Sequence, residues 1–281
     1  MMSKWIISAF ADEYSRSPEK QIEALKTNGL DHLEVRFVGD KNIADMTEDE
    51  VVALKKTLED GGISVSAIGS PLGKINLADD FEEHLEKAKR VYNTANLLGT
   101  DKIRMFSFYL HNGKTREECR EEVIDKLGRL LDLADTYNVR LCHENEAKIY
   151  GETPEYCLDL LKHFSGRLRA VFDMGNFVLD KCDPVAGYEL LKNHIEYFHI
   201  KDATSKRAIV PAGCGEARIG EILHRYRDEF KRDVLLSIEP HLQVFDGLKD
   251  IAAASFDNPY RFETKEIAFA VAVEKTKELL Q

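Results

Sequence analysis

The chain has 281 residues, 43% of them hydrophobic and 32% charged, and a formal net charge of −11. This length suits one large domain or two small ones, and a chain this long can bury a substantial core without staples. The acidic balance argues against nucleic acid as the main partner, because such a partner selects a basic face, and no stretch reaches the ~20 apolar residues of a membrane span.

The first apolar run, Trp5-Ile6-Ile7-Ser8-Ala9-Phe10, is closed by Asp12 and Glu13. It is too short for a signal peptide and reads as a first strand over residues 5–10. Further runs rich in β-branched and aromatic residues follow at 32–37, 64–68, 102–106, 139–143, 168–172, 197–200 and 234–238. Several are apolar almost throughout, as strands buried on both faces should be. Between them lie helical stretches with start signals. Ser17-Pro18 puts a capping residue before a proline at the first helical position. Thr47-Glu48-Asp49-Glu50 and Thr115-Arg116-Glu117-Glu118 read as capping boxes, and Thr153-Pro154-Glu155 as another capped start. Gly29, Gly61 and Gly99 follow helical stretches, where a left-handed residue ends a helix. A last helix is expected over 264–280, with Ile267, Ala270, Val271 and Val273 as its apolar positions. Eight strand–helix pairs without a low-complexity linker predict a single (β/α)8 TIM barrel over residues 1–281, whose strand ends converge on one mouth. An open doubly wound sheet is the alternative topology. Cys119, Cys142, Cys157, Cys182 and Cys214 are odd in number and contain no C-x-x-C. That pattern fits free thiols in a reducing compartment, so a cytoplasmic protein is expected.

Four successive strands end in metal-type ligands: His143-Glu144, Phe172-Asp173, Phe198-His199 and Ile238-Glu239. Each group follows an apolar run, where an isolated charge is costly unless it pairs or coordinates an ion. In a barrel, Glu144, Asp173, His199 and Glu239 would meet at one point. Three carboxylates and one imidazole suit a single divalent ion such as Mn²⁺, Mg²⁺, Co²⁺ or Zn²⁺, and the lack of a thiolate weighs against structural zinc. The competing arrangement is salt bridging to Lys201, Arg104 or Arg36.

The marks His143-Glu144-Asn145-Glu146, Phe172-Asp173-x-Gly175-Asn176-Phe177, His199-Ile200-Lys201-Asp202-Ala203, Pro211-x-Gly213-x-Gly215 and Glu239-Pro240-His241 occur in this order. With them the chain resembles the xylose-isomerase-like barrels called sugar phosphate isomerases/epimerases, a group with ketose 3-epimerases, hydroxypyruvate isomerases and inosose dehydratases, related to the endonuclease IV nucleases. The resemblance implies that Glu144, Asp173, His199 and Glu239 bind the metal and that Glu144 and Glu239 oppose each other as proton-transfer groups. An ion chelating a carbonyl and a neighbouring hydroxyl stabilises an enediolate, and a nearby carboxylate can take the proton. Isomerisation or epimerisation of a sugar, sugar phosphate or related hydroxy-carbonyl compound is therefore expected. Dehydration of a keto-inositol or similar polyol ketone is the alternative, and a non-catalytic sugar-binding barrel a third reading. Where epimerases and the nucleases often carry Asp-x-x-His, this chain has Asn176, a poor metal ligand, so a second metal is not expected. The nuclease Asp-x-His pair is also missing from Gly213-Cys214-Gly215-Glu216-Ala217-Arg218.

Around these groups, Lys201 lies on the same side of its strand as His199 and is a candidate for a substrate oxygen or phosphate. Asn176, Glu146, Glu34, Arg36, His111 and His241 are further candidates for substrate contact. Arg104 and Lys74 are weaker candidates for an anionic group. For Glu34 and Arg36 an ion pair is the simpler explanation. The expected partner is a small carbohydrate, with no nucleic acid and no membrane; a homo-oligomer is compatible with the sequence.

Overall fold

A computed structural model describes residues 3–243, 260 and 262–281. The eight expected strands form and pair in parallel: β1 (Trp5–Ala9), β2 (His32–Val35), β3 (Ser64–Ile68), β4 (Lys102–Met105), β5 (Arg140–Glu144), β6 (Leu168–Asp173), β7 (Ile195–Ile200) and β8 (Val234–Ile238). They close on themselves, β8 lying between β7 and β1. The open-sheet alternative is thereby set aside, and the fold is a single (β/α)8 TIM barrel. Two short antiparallel pairs decorate the strand ends, Phe37–Val38 with Lys41–Asn42 and Asp202–Ala203 with Ile209–Val210.

The helices start where their caps lie. Helix α1 (Pro18–Thr27) is capped by Ser17, whose hydroxyl accepts from Lys20 N. Helices α2 (Glu48–Asp60) and α4 (Arg116–Tyr137) open with complete capping boxes at Thr47 and Thr115. Helix α3 (Phe81–Leu98) is capped by Asp80 and ends at Gly99, with φ +77°. Helix α5 (Pro154–His163) follows Thr153, but that hydroxyl donates to Glu155 instead of capping. Helix α6 (Met174–Leu179) is capped by Asp173 itself; α7 (Pro184–Leu191) and α8 (Ile219–Phe230) complete the ring with α9 (Lys265–Leu279).

Two local expectations need correction. At the end of α2 the left-handed residue is Gly62 (φ +66°), not Gly61 (φ −80°). On α9 the buried face is Ala268, Phe269, Ala272, Val273 and Thr276, while Ile267 is 44% exposed. Val271 and Ile267 flank that face instead of lying on it, because a one-residue offset rotates a helix by about 100°.

Strand alternation places the chemistry. Ala67, Cys142, Val171 and Tyr197 form a small apolar cluster of their own, with Leu235 against it. Cys142, Val171 and Tyr197 are each two residues short of Glu144, Asp173 and His199. With a side-chain period of two, an apolar layer therefore supports a charged one directly above it, at the C-terminal mouth.

Candidate metal centre

Glu144 ends β5, Asp173 ends β6, His199 lies near the end of β7 and Glu239 follows β8. Neighbouring strands hold them in register, with Asp173 beside His199 and His199 beside Ser237. The four side chains offer donor atoms that all lie within 4.8 Å of one another. All are buried, none more than 4% exposed.

Each of the four side chains is held by a different set of neighbours. His199 Nδ1 is 2.8 Å from Glu144 Oε1 and 4.0 Å from Glu239 Oε2, and its Nε2 is 3.1 Å from Glu34 Oε2. Asp173 Oδ1 accepts the Asn176 N–H at 2.8 Å as the cap of α6. That leaves Asp173 Oδ2 facing the centre, 2.9 Å from Lys201 Nζ. The same ammonium donates to Glu239 Oε2 at 2.7 Å. Glu239 Oε1 accepts from Arg36 Nη1 at 3.0 Å and lies 3.3 Å from His241 Nε2. Arg104 Nη1 stands 3.2 Å from Glu144 Oε2.

The electrostatics follow from burial set against these partners. Burial raises the Glu144 carboxyl, but His199 and Arg104 outweigh it and hold it at about 2. Burial likewise disfavours charge on Glu239, yet Lys201 and His241 hold it well below the ordinary range. Asp173 goes the other way: burial lifts it to about 6 despite Lys201. For His199, burial opposes the charged form, and Glu144 and Glu34 reverse this to about 10. His241 is raised to about 9, because Glu13 and Glu239 overcome its burial.

This set fits a divalent ion. Glu144 Oε2 and Asp173 Oδ2 are buried with a single ion-pair contact each, to Arg104 and Lys201, and no further hydrogen bond among the described residues, so each keeps a lone pair for an ion. Among the described residues, six buried carboxylates (Asp12, Glu13, Glu34, Glu144, Asp173 and Glu239) share the mouth with three permanent cations (Arg36, Arg104 and Lys201) and two imidazoles, and the carboxylates stay in excess even with both imidazoles charged. The residual negative charge calls for a cation, and oxygen and imidazole donors suit a hard or borderline one.

The other expected residues divide into two groups. Lys201, Glu34, Arg36 and His241 all join the centre, although as ion-pair partners: Glu34 with His199, and Arg36 with Asp12, Glu13 and Glu239. His241 has a left-handed backbone (φ +47°) and uses both N and Nδ1 on Glu13, at 2.7 Å each. Asn176 donates to the Asn145 carbonyl at 2.9 Å and so braces the Asp173 turn. Glu146 pairs with Lys74 at 2.8 Å, half-buried at the rim. His111 is not among these groups; its ring pairs with Glu122 of α4 at 2.7 Å. Sequence reasoning passed over Asp12, Glu13 and Tyr197. Asp12 and Glu13 directly follow the apolar run of β1, the same signal that marked the other strand ends. Tyr197 shares its parity with His199.

The profile of the family described as xylose isomerase-like TIM barrel matches residues 22–252. A 3-dehydroshikimate dehydratase of Bacillus anthracis is 26% identical over 184 residues, which are 63% of this chain and 64% of that protein. Among solved structures, the IOLI protein with a bound zinc atom superposes with TM-score 0.74 at 18% identity, covering 100% of this chain and 98% of the other. A D-allulose 3-epimerase of Methylomonas sp. in complex with D-allulose gives TM-score 0.75 at 15% identity, covering 98% and 97%. At these identities the two structures speak for the fold. No helix among the described residues is long and apolar enough to cross a membrane.

Proposed function

The chain belongs to the xylose isomerase-like TIM barrel family, and from this premise we propose that it is a metal-dependent isomerase or epimerase that moves a proton beside the carbonyl of a small sugar or sugar-like compound. The observation that carries the reading is the convergence of Glu144, Asp173, His199 and Glu239 at one buried point. A divalent ion held there would polarise substrate oxygens and acidify the neighbouring C–H.

The chain's own groups supply the rest. Glu144 and Glu239 approach from β5 and from beyond β8, and so can address a substrate from two sides. Their surroundings differ. Glu144 Oε2 has one ion-pair contact, to Arg104 at 3.2 Å, whereas both Glu239 oxygens are held more closely, by Arg36 and Lys201. Glu144 is thus the readier proton acceptor and Glu239 the more rigidly held partner. Lys201, in contact with Asp173 and Glu239, would hold a substrate oxygen on which negative charge develops.

A second reading has one observation of its own, the similarity to a 3-dehydroshikimate dehydratase. The same proton removal followed by loss of a β-hydroxyl would be dehydration of a polyol ketone. Incubation with ketoses and keto-inositols in heavy water, with Mn²⁺, Mg²⁺, Co²⁺ or Zn²⁺ added, separates the two. Deuterium gained at the α-carbon without loss of water supports isomerisation or epimerisation; an enone absorbance with loss of water supports the lyase. Glu144→Gln and Glu239→Gln should each remove turnover while the barrel stays folded, and full activity in the double variant would end the proposal.

A further inference from the structure

Glu34 is fully buried on β2, yet its partners are not permanent cations. Its Oε1 accepts from the Tyr197 hydroxyl at 3.0 Å, and Oε2 is 3.1 Å from His199 Nε2. Arg36, two residues along, spends its guanidinium on Asp12, Glu13 and Glu239. Arg104 points at Glu144 and the Gly69 carbonyl. Among the described residues, a phenol and an imidazole are the hydrogen-bond partners of this buried carboxylate, with Arg104 acting on it only at longer range, and such a carboxylate is expensive as mere fold cement. The arrangement makes sense if the imidazole needs one particular orientation.

The ring of His199 has little freedom otherwise. The Phe10 ring stands edge-on to it at 5.2 Å and the Tyr197 ring at 5.5 Å. These contacts confine the ring plane, but they do not decide which nitrogen faces the centre. Glu34 decides it. A hydrogen bond from Nε2 to Glu34 keeps the proton on that nitrogen, so the proton that an ion would displace is the one on Nδ1, which faces Glu144 and Glu239.

We propose that Glu34, braced by Tyr197, is the positioning residue that holds His199 with Nδ1 turned towards the metal centre. This rests on the metal-centre reading given above. Glu34 therefore acts through His199, and not on the substrate.

Cobalt titration of the purified protein, followed by the visible absorption of the bound ion, tests it. Wild type should bind Co²⁺. Glu34→Gln should bind it about 10–100-fold more weakly, the usual cost of losing such a support, with an altered absorption band and unchanged far-ultraviolet circular dichroism. Tyr197→Phe removes a single hydroxyl from a packed ring and should shift affinity in the same direction by less. It remains informative if Glu34→Gln fails to fold. Wild-type affinity and spectrum in the folded variants would overturn the inference while leaving the metal centre standing. A wild-type protein that binds no Co²⁺ would overturn the metal centre and this inference together.

Discussion

Lys201 Nζ stands 2.7 Å from Glu239 Oε2 and 2.9 Å from Asp173 Oδ2. A lysine ammonium thus rests on the two oxygens that Asp173 and Glu239 turn towards the centre, and it competes with any cation for them. At about 4 Å two unit charges interact by roughly 4 kcal/mol at an effective dielectric of 20. Lys201→Met should therefore bind Mn²⁺ at least about tenfold more tightly while losing turnover. Calorimetric titration checks the affinity; weaker binding would show instead that the ammonium supports the ion.

Metal uptake should release a proton. His199 is held at about 10, so at neutral pH its Nδ1 carries a proton that a ligand nitrogen must lose. Because the folded value lies above working pH, affinity falls as pH falls. The expected slope is about tenfold per pH unit between pH 7 and 9. It should steepen below the Asp173 value of about 6, where a second proton competes. Titrations in buffers of different ionisation enthalpy measure the number of protons released; none released at pH 7 would contradict this.

Asp202 organises the loop beyond β7. Its carboxylate accepts main-chain N–H groups from Ala203 and Gly213 at 2.9 Å and from Gly215 and Ala217 at 3.0 Å. An amide offers a single accepting oxygen, so Asp202→Asn leaves buried donors unmet, at about 1–3 kcal/mol each. Gly215→Ala would drive a methyl into the Asp202 carboxylate and the Ala203 carbonyl. Both variants should lower the denaturation midpoint and speed amide exchange at 213–217. Unchanged exchange there would refute the role.

His84 on α3 ties down the loop after β3. Gly73 N donates to its Nε2 at 2.9 Å, which needs that nitrogen unprotonated. Burial, with Lys87 adding to it, lowers His84 from 6.5 to about 4. The unfolded chain therefore takes up this proton first as pH falls. Its contribution is complete above pH 6.5 and is lost between 6.5 and about 4, on the order of 3 kcal/mol in all. His84→Gln should flatten that part of the stability–pH curve; an unaltered curve would exclude His84 as its source.

The barrel and its four would-be ligands could be read from the amino-acid order because both are local signals. Apolar runs alternate with capped helices, and Glu144, Asp173, His199 and Glu239 each sit where such a run stops. Period-two alternation then decides which side of the strand they take. The helix ends at Gly62 and the buried face of α9 escaped that reading by one position, since a single residue changes the angle but hardly changes the pattern.

Pairing was a different matter. That Arg36, just past β2, would grip Asp12 and Glu13 beyond β1 as well as Glu239 beyond β8, or that Glu34 would turn to His199, depends on closure of the sheet. Closure sets β8 against β1 and brings His241 onto Glu13 across 228 positions of chain. Periodicity along one strand carries no information about its neighbour across the barrel. A buried charge takes whichever opposite charge the fold delivers within hydrogen-bonding reach, and only the assembled tertiary structure makes that delivery.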